Sequence, residues 1–164
     1  WPAMNDLQVS REELIRLVTE LETSPAEALS VLCAAVKKQA AREIVLALLE
    51  NRAPVYAALE SDDPKARKNA ARLLGALESK SDAPALVAAL EREQTRFVVP
   101  SILLALGSIG GTEAQNALLA YVVPEGPLKN VGVAWKNAMW RSDIANARNQ
   151  DENRLIVSYS IPLL

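Results

Sequence analysis

The 164-residue sequence contains no histidine and only one cysteine, and each scarcity excludes a class of chemistry. Without histidine there is no Ser-His-Asp triad, no Cys-His dyad and no imidazole ligand for a metal ion. The lone Cys33 excludes an intramolecular disulfide and a thiolate zinc cluster. Because a single cysteine is typical of a reducing compartment, we expect a cytoplasmic protein.

Aromatic residues make up only 4% of the chain, although half of its residues are apolar. No apolar run approaches the roughly 18 to 20 residues that a membrane-spanning helix needs, so we expect no membrane association. A charged fraction of 23% and a net charge of -2 argue against a disordered polyelectrolyte and against nucleic-acid binding by the whole surface. The composition predicts a folded chain with a sizeable apolar core.

The two ends of the chain differ in character from its body. Residues 1–3 precede Met4 as a short vector scar would, and the apolar ending Ile161–Leu164 is typical of a truncated chain. We therefore expect a repeat array over residues 4–126. Residues 127–164 are then an atypical C-terminal cap or the start of a truncated further domain.

Helical signals recur from residue 10 to about residue 122. Ser10 with Glu13 predicts a capping box, and Ser24-Pro25 predicts a second helix start with proline at the first helical position. A third helix is expected from about Ala40 to Glu50. Behind Ser10 an apolar stripe of helical period consists of Leu14, Ile15, Leu17, Val18 and Leu21. Since none of these segments alternates with period two, the body is predicted to be all-α.

The second half of this region repeats itself with a period of 31 or 32 residues. AALE at Ala57–Glu60 returns at Ala88–Glu91, and PALVAAL at Pro84–Leu90 returns as NALLAYV at Asn116–Val122. Earlier, ALLENRAP at Ala47–Pro54 looks like a shorter copy of GALESKSDAP at Gly75–Pro84. Two helices in each unit of this length predict an α-solenoid of about four helical hairpins.

The repeat also carries a family resemblance. SDDPKARKNAARLLGAL at Ser61–Leu77, followed by SDAPALVAALE at Ser81–Glu91, resembles a HEAT repeat of the short bacterial type, similar to those of phycobilisome lyases. The matching positions are Asp63-Pro64, Arg67, Ala70-Ala71, Leu74-Gly75 and Pro84-Ala85-Leu86. The next copy departs, because Thr95-Arg96 replaces Asp-Pro and Pro100 lies inside the expected helix, which predicts a kink or a late start. The resemblance implies a right-handed α-α superhelix and says little about activity.

A basic stripe is the first candidate site. Residues 37 to 72 hold eight cations and five anions, a net of +3, whereas the first 36 residues carry a net of -4. In HEAT-like arrays the second helix of each unit usually lines the concave face, so the resemblance implies one binding surface there. Its cations are Arg42, Lys65, Lys68, Arg72 and Arg96. Such a stripe would bind an acidic protein segment or a phosphate backbone. The alternative is a solvated helix face that keeps the array soluble.

Trp135 and Trp140 form the second candidate site, because tryptophan is enriched at the energetic centres of interfaces. The alternative is a cap that covers the open apolar end of the array.

Cys33, between Leu32 and Val36, is expected to be a small buried hydrophobe rather than a reactive thiol.

Two further sequence features are expected to be structural. Asp62-Asp63 ahead of Pro64 is interpreted as a helix cap rather than a cation site. Gly107, Gly110 and Gly111 are expected to end a helix, since they lack the lysine and the preceding strand of a phosphate loop.

These observations predict a non-catalytic scaffold that binds a macromolecular partner, a protein in the first place, without catalytic residues, cofactor or metal. Nucleic acid is the second partner class, and exposed array ends would allow a homodimer. The alternative is the N-terminal accessory domain of an enzyme whose catalytic part begins near residue 155, where Arg154–Tyr159 resembles a strand. Similar short repeats are attached to nucleic-acid methyltransferases and occur in bilin lyases.

Overall fold

The computed structural model describes residues 9–95 and 97–120 of the chain. Every regular element in these residues is helical, with eight α-helices, one short 3₁₀ helix and no strand. The all-α prediction is therefore confirmed for the described part of the chain. Several features of the sequence lie outside the described residues, namely Arg96, Trp135, Trp140, the expected scar at residues 1–3 and the segment Arg154–Tyr159. The chain divides into two compact units, Trp1–Leu77 and Glu78–Leu164.

The first unit contains five helices. They are α1 (Arg11–Glu20), α2 (Pro25–Ala35), α3 (Gln39–Leu48), α4 (Ala53–Leu59) and α5 (Pro64–Leu77). Helix α5 packs chiefly against α2 and α4, whereas α1 packs against α2 and α3. The fully buried side chains of this unit include Leu14, Leu29, Leu32, Leu49, Leu73 and Leu74. The sequence copy at Ala47–Pro54 places α3 in register with α5, yet the main packing partner of α5 is α2. The first repeat of the array is thus irregular.

The helix starts show where local chemistry follows the sequence pattern and where it departs. The Ser10 hydroxyl accepts a hydrogen bond from the Glu13 amide at 3.1 Å, so half of the predicted capping box forms. The other half is wrong, because the Glu13 carboxylate pairs with Arg16 instead of reaching back. Pro25 stands in the first turn of α2 as predicted, but Ser24 makes no side-chain cap.

At the start of α5, Asp63 Oδ1 accepts the Lys65 amide at 2.9 Å. This hydrogen bond satisfies one of the amides that an α-helix leaves unpaired in its first turn. The interpretation of Asp63 as a helix cap is confirmed.

Helix α5 separates its residues into a buried and an exposed face. Ala66, Ala70, Leu73 and Leu77 are buried, as the helical period predicts. Small alanines on this face allow close approach of α2. In α1 the predicted stripe is wrong at Ile15, whose side chain is 44% exposed. Ile15 is therefore not part of the core.

The second unit contains a 3₁₀ helix (Lys80–Asp82), α6 (Ala83–Arg92), α7 (Val99–Ile109) and α8 (Gly111–Ala120). Helix α6 packs against α7 and α8, which also contact each other. The predicted late start of the third copy is confirmed, because α7 begins at Val99 with Pro100 in its first turn. Gly110, with φ 69° and ψ −163°, ends α7 in a conformation that only glycine adopts readily.

Candidate functional site

The α2–α5 contact of the first unit positions the candidate site. Two side-chain hydrogen bonds cross it: Asn69 Nδ2 donates to the Ala26 carbonyl at 3.0 Å, and Cys33 Sγ donates to the Asn69 carbonyl at 3.5 Å. Asn69 and Cys33 are 8% and 7% exposed. Because a helical carbonyl points toward the C-terminus and the side chain leans the other way, these contacts set α2 and α5 parallel. The two helices therefore present neighbouring outer surfaces.

Cys33 confirms the expectation of a small buried hydrophobe. Burial is the main cause that raises the pKa of its thiol to about 11, while the positive charges of Arg72 and Lys37 lower it in part. The thiol is consequently protonated at neutral pH and is a poor nucleophile. The positive charges of Arg72 on α5 and of Lys37, which follows α2, thus act on the same buried thiol.

Three of the predicted site residues share one ridge of α5. Lys65, Lys68 and Arg72 follow one another at helical spacings of three and four residues. Lys65 and Arg72 are exposed and Lys68 is half-buried. Together with Lys37 they form what we call the basic face, defined as Lys37, Lys65, Lys68 and Arg72.

The structure does not bring every predicted cation into the basic face. Arg42 lies on α3, whose main packing partner is α1, and its guanidinium donates to Gln39 Oε1 at 2.6 Å. Arg67 is also on α5, but it donates to the Ser61 and Asp62 carbonyls and so fixes the turn before the helix. The prediction for Arg96, Trp135 and Trp140 lies outside the described residues.

Sequence reasoning counted Lys37 among the cations but did not select it. The available signal was its position four residues after Cys33, just beyond the end of α2. Asn69 was missed as well, since an asparagine among alanines and lysines gives no sign that it is buried. Its burial becomes apparent only when the partner helix α2 is known.

The basic face combines exposed and half-buried cations. The thiol of Cys33 beneath it is buried and protonated. Among the described residues no cluster of three or more cysteines and carboxylates could hold a metal ion. Two open surface depressions of the first unit, one around Pro25 and Pro54 and one around Ile44 and Leu48, contain none of the basic-face residues.

None of the helices in the described ranges is both long enough and apolar enough to span a membrane.

Comparison with known families identifies the repeats. Residues 52–127 match the family described as HEAT repeats. The chain contains HEAT-like repeats. This match and the helical structure confirm the predicted all-α, solenoid-type fold class. The closer likeness to the repeats of phycobilisome lyases and the right-handed superhelix stay predictions.

A second match concerns the C-terminal part of the chain. Residues 92–163 match the family described as outer membrane porin, OprD family. A stretch of 53 residues, 32% of this chain, is 45% identical to porin-like protein GalP of Pseudomonas putida. The match covers 13% of that relative's length. Sequence reasoning missed this likeness and interpreted residues 127–164 as an atypical cap or the start of a further domain.

The two family matches overlap over residues 92–127. The described part of this overlap contains α7 and α8, so its structure is that of the helical repeats.

Proposed function

We propose that the chain is a non-catalytic scaffold whose basic face captures an acidic segment of a protein partner. The observation that carries this proposal is the ridge of Lys65, Lys68 and Arg72 along α5, beside the buried contact with α2. Lys37, which follows α2, completes the basic face. Complementary charge of this kind steers a partner and fixes its register.

Buried contacts between two helices support these cations. Asn69 and Cys33 connect α2 and α5 by buried hydrogen bonds, and small alanines bring the helices close. A preformed surface loses little conformational entropy on binding. The proposed mechanism is therefore surface complementarity without any covalent step. The HEAT resemblance predicted a concave binding surface formed by the second helix of each repeat. Helix α5 is the first helix of its repeat, so the basic face is defined here only by its four residues.

The test compares the Lys68→Glu, Arg72→Glu double variant with the wild-type chain. The probe is a fluorescent 20-residue oligoglutamate followed by anisotropy at low salt. We expect binding to weaken by about 10-fold or more, because two attractive charges become repulsive. Circular dichroism establishes that the variant remains folded.

The matched control is the Arg11→Glu, Arg42→Glu variant, which makes the same change in net charge on α1 and α3 of the same unit. It should bind the oligoglutamate within about twofold of the wild type, because the four cations of the basic face are unchanged. Equal weakening in both double variants would show a response to net charge and contradict a localised site.

The porin likeness supports a second candidate function. On this proposal the C-terminal part of the chain is related to outer membrane porin sequence and directs the chain to the cell envelope, whereas the first proposal goes with a cytoplasmic location. Fractionation of bacterial cells that express the full chain separates the two. Recovery in the soluble cytoplasmic fraction supports the scaffold, and recovery with the outer membrane supports the porin-related alternative.

The accessory domain of a larger enzyme is a further alternative that follows from the repeats alone. Its test is the reading frame that contains this chain. A catalytic domain encoded in frame after residue 164 would support it, and an immediate stop codon there would remove it.

A further inference from the structure

The outer surface of α2 combines apolar and positively charged positions. Val31 is 41% exposed, which is unusual for a large apolar side chain in this unit, and Ala34 is also exposed. Val31 lies between Ala26 and Cys33, the two residues of α2 that hydrogen-bond to Asn69. Its exposure shows that it lies on the solvent side of α2. Its position between these two residues puts it at the level where α5 packs against α2.

The neighbouring ridge of α5 has a regular charge spacing. Lys65, Lys68 and Arg72 extend over about 10 Å of the helix axis, with roughly one helical turn between successive charges. Carboxylates that recur every three or four residues on a helix have the same spacing. Glu27, near the start of α2, is the one acidic residue within that helix. The rest of α2 therefore adds no further negative charge from its side chains.

We propose that Val31 and Ala34 form an apolar subsite beside the basic face, so that its ligand is an acidic amphipathic protein segment. This inference rests on the proposed function and names the partner's chemistry. The segment places carboxylates on Lys68 and Arg72 and an apolar side chain on Val31. A phosphate polymer matches the cations but offers no aliphatic group to cover Val31.

The choice of protein over nucleic acid has additional support. Neither α2 nor α5 contains an aromatic side chain on which a base could stack. The first 36 residues carry a net charge of -4, which repels a polyanion that extends beyond the basic face. A short segment with localised negative charge avoids that repulsion.

The experiment uses the full chain and two probes. The first is a 15-residue peptide of Glu, Leu and Ala whose Glu and Leu residues recur at helical spacing on adjacent faces. The second is a 12-nucleotide oligouridylate. Affinities are measured for the wild type, for Val31→Ser, and for Ile15→Ser as the matched control, since Ile15 is exposed to a similar extent on α1.

We expect Val31→Ser to weaken peptide binding by roughly 5-fold, the effect of losing about one buried methylene or methyl contact. It should leave oligouridylate binding unchanged, and Ile15→Ser should change neither affinity. Val31→Thr, which keeps the branched shape, provides a second variant, and thermal unfolding checks that all variants are folded.

The outcomes separate this inference from the proposed function. If the peptide binds Val31→Ser and the wild type equally while Lys68→Glu, Arg72→Glu abolishes binding, the basic face stands and the apolar subsite is wrong. Tighter binding of oligouridylate than of peptide would overturn the assigned partner class. If the free chain dimerises and Val31→Ser abolishes that dimerisation, a second copy of the chain occupies the apolar subsite. This result would also overturn the assigned partner class. If neither probe binds the wild type, the proposed function itself fails.

Discussion

At Cys33 two opposing influences act on one proton. Burial against α5 disfavours the thiolate, and the positive charges of Arg72 and Lys37 favour it. Burial dominates, and the pKa rises to about 11. This residue links the packing of the first unit to the electrostatics of the basic face.

The thiol makes the stability of the first unit depend on alkaline pH. Because the folded-state pKa of about 11 exceeds the ordinary value of 9.0, the unfolded state loses its proton first as the pH rises. The thiol's contribution to stability is complete below pH 9 and is lost as the pH approaches 11. We expect the free energy of unfolding to fall by about 1.5 kcal/mol between pH 9 and 10.5.

Urea unfolding of the wild type and of Cys33→Val at both pH values measures this contribution. The valine variant has no titrating group at this position and should lose less stability over the same interval. Parallel pH profiles of the two proteins would contradict a buried, protonated Cys33.

Asn69 is the buried polar residue that connects α5 to α2. Asn69→Ala removes the hydrogen bond to the Ala26 carbonyl and leaves a small cavity, so we expect a loss of about 1–3 kcal/mol. Denaturant unfolding measures the loss. Asn116→Ala, at an exposed position of α8, is the control and should change the stability by less than about 0.5 kcal/mol. A neutral Asn69→Ala would show that the interhelix bond is dispensable.

At the scale of elements, adjacent aspartates before α5 have different roles. Asp63 accepts the Lys65 amide through its side chain, whereas Asp62 contributes its backbone carbonyl to Arg67. Asp63→Ala should therefore destabilise the chain by about 1 kcal/mol, and Asp62→Ala should have little effect. Thermal unfolding of the two single variants checks the difference, and equal effects would argue for general charge rather than capping.

Gly110 provides the corresponding test at the end of α7. Its φ of 69° and ψ of −163° are strained for any residue with a Cβ. We expect Gly110→Ala to cost about 1–3 kcal/mol of stability in chemical unfolding. Thr112→Ala, two residues further along at an exposed position, should be close to neutral. A stable Gly110→Ala variant would mean that the turn between α7 and α8 relaxes without loss.

The helical pattern predicted much of the described fold but not its details. The buried face of α5 and the late start of α7 follow from the period of the apolar residues and from Pro100. The capping box at Ser10 formed only in part, because Arg16 competes for the Glu13 carboxylate. Neighbouring side chains of this kind decide local contacts that a motif alone does not contain.

The candidate site was predictable only in part. The cations of α5 could be selected from their spacing within one helix, which is a local property of the sequence. Lys37 joins them because α2 packs parallel to α5, and Asn69 is buried for the same reason. The position of Lys37 and the burial of Asn69 both depend on the packing of two helices that are more than thirty residues apart. The sequence period did not identify the packing partner of α5 because the first repeat is irregular.

At the scale of the whole molecule, one chain contains HEAT-like repeats and also matches the model of an outer membrane porin family over residues 92–163. The described residues show the helical repeats, and the proposed binding surface lies within the first unit. The central proposal is that partner capture is a property of the α2–α5 surface of these repeats.

Chemical-shift mapping on the isotope-labelled full chain, titrated with the Glu-Leu-Ala peptide, tests this proposal most directly. We predict that the amide shifts concentrate at Val31, Ala34, Lys37, Lys68 and Arg72, and that they disappear in the Lys68→Glu, Arg72→Glu variant. Shifts centred instead on α6, α7 and α8 of the second unit would contradict it.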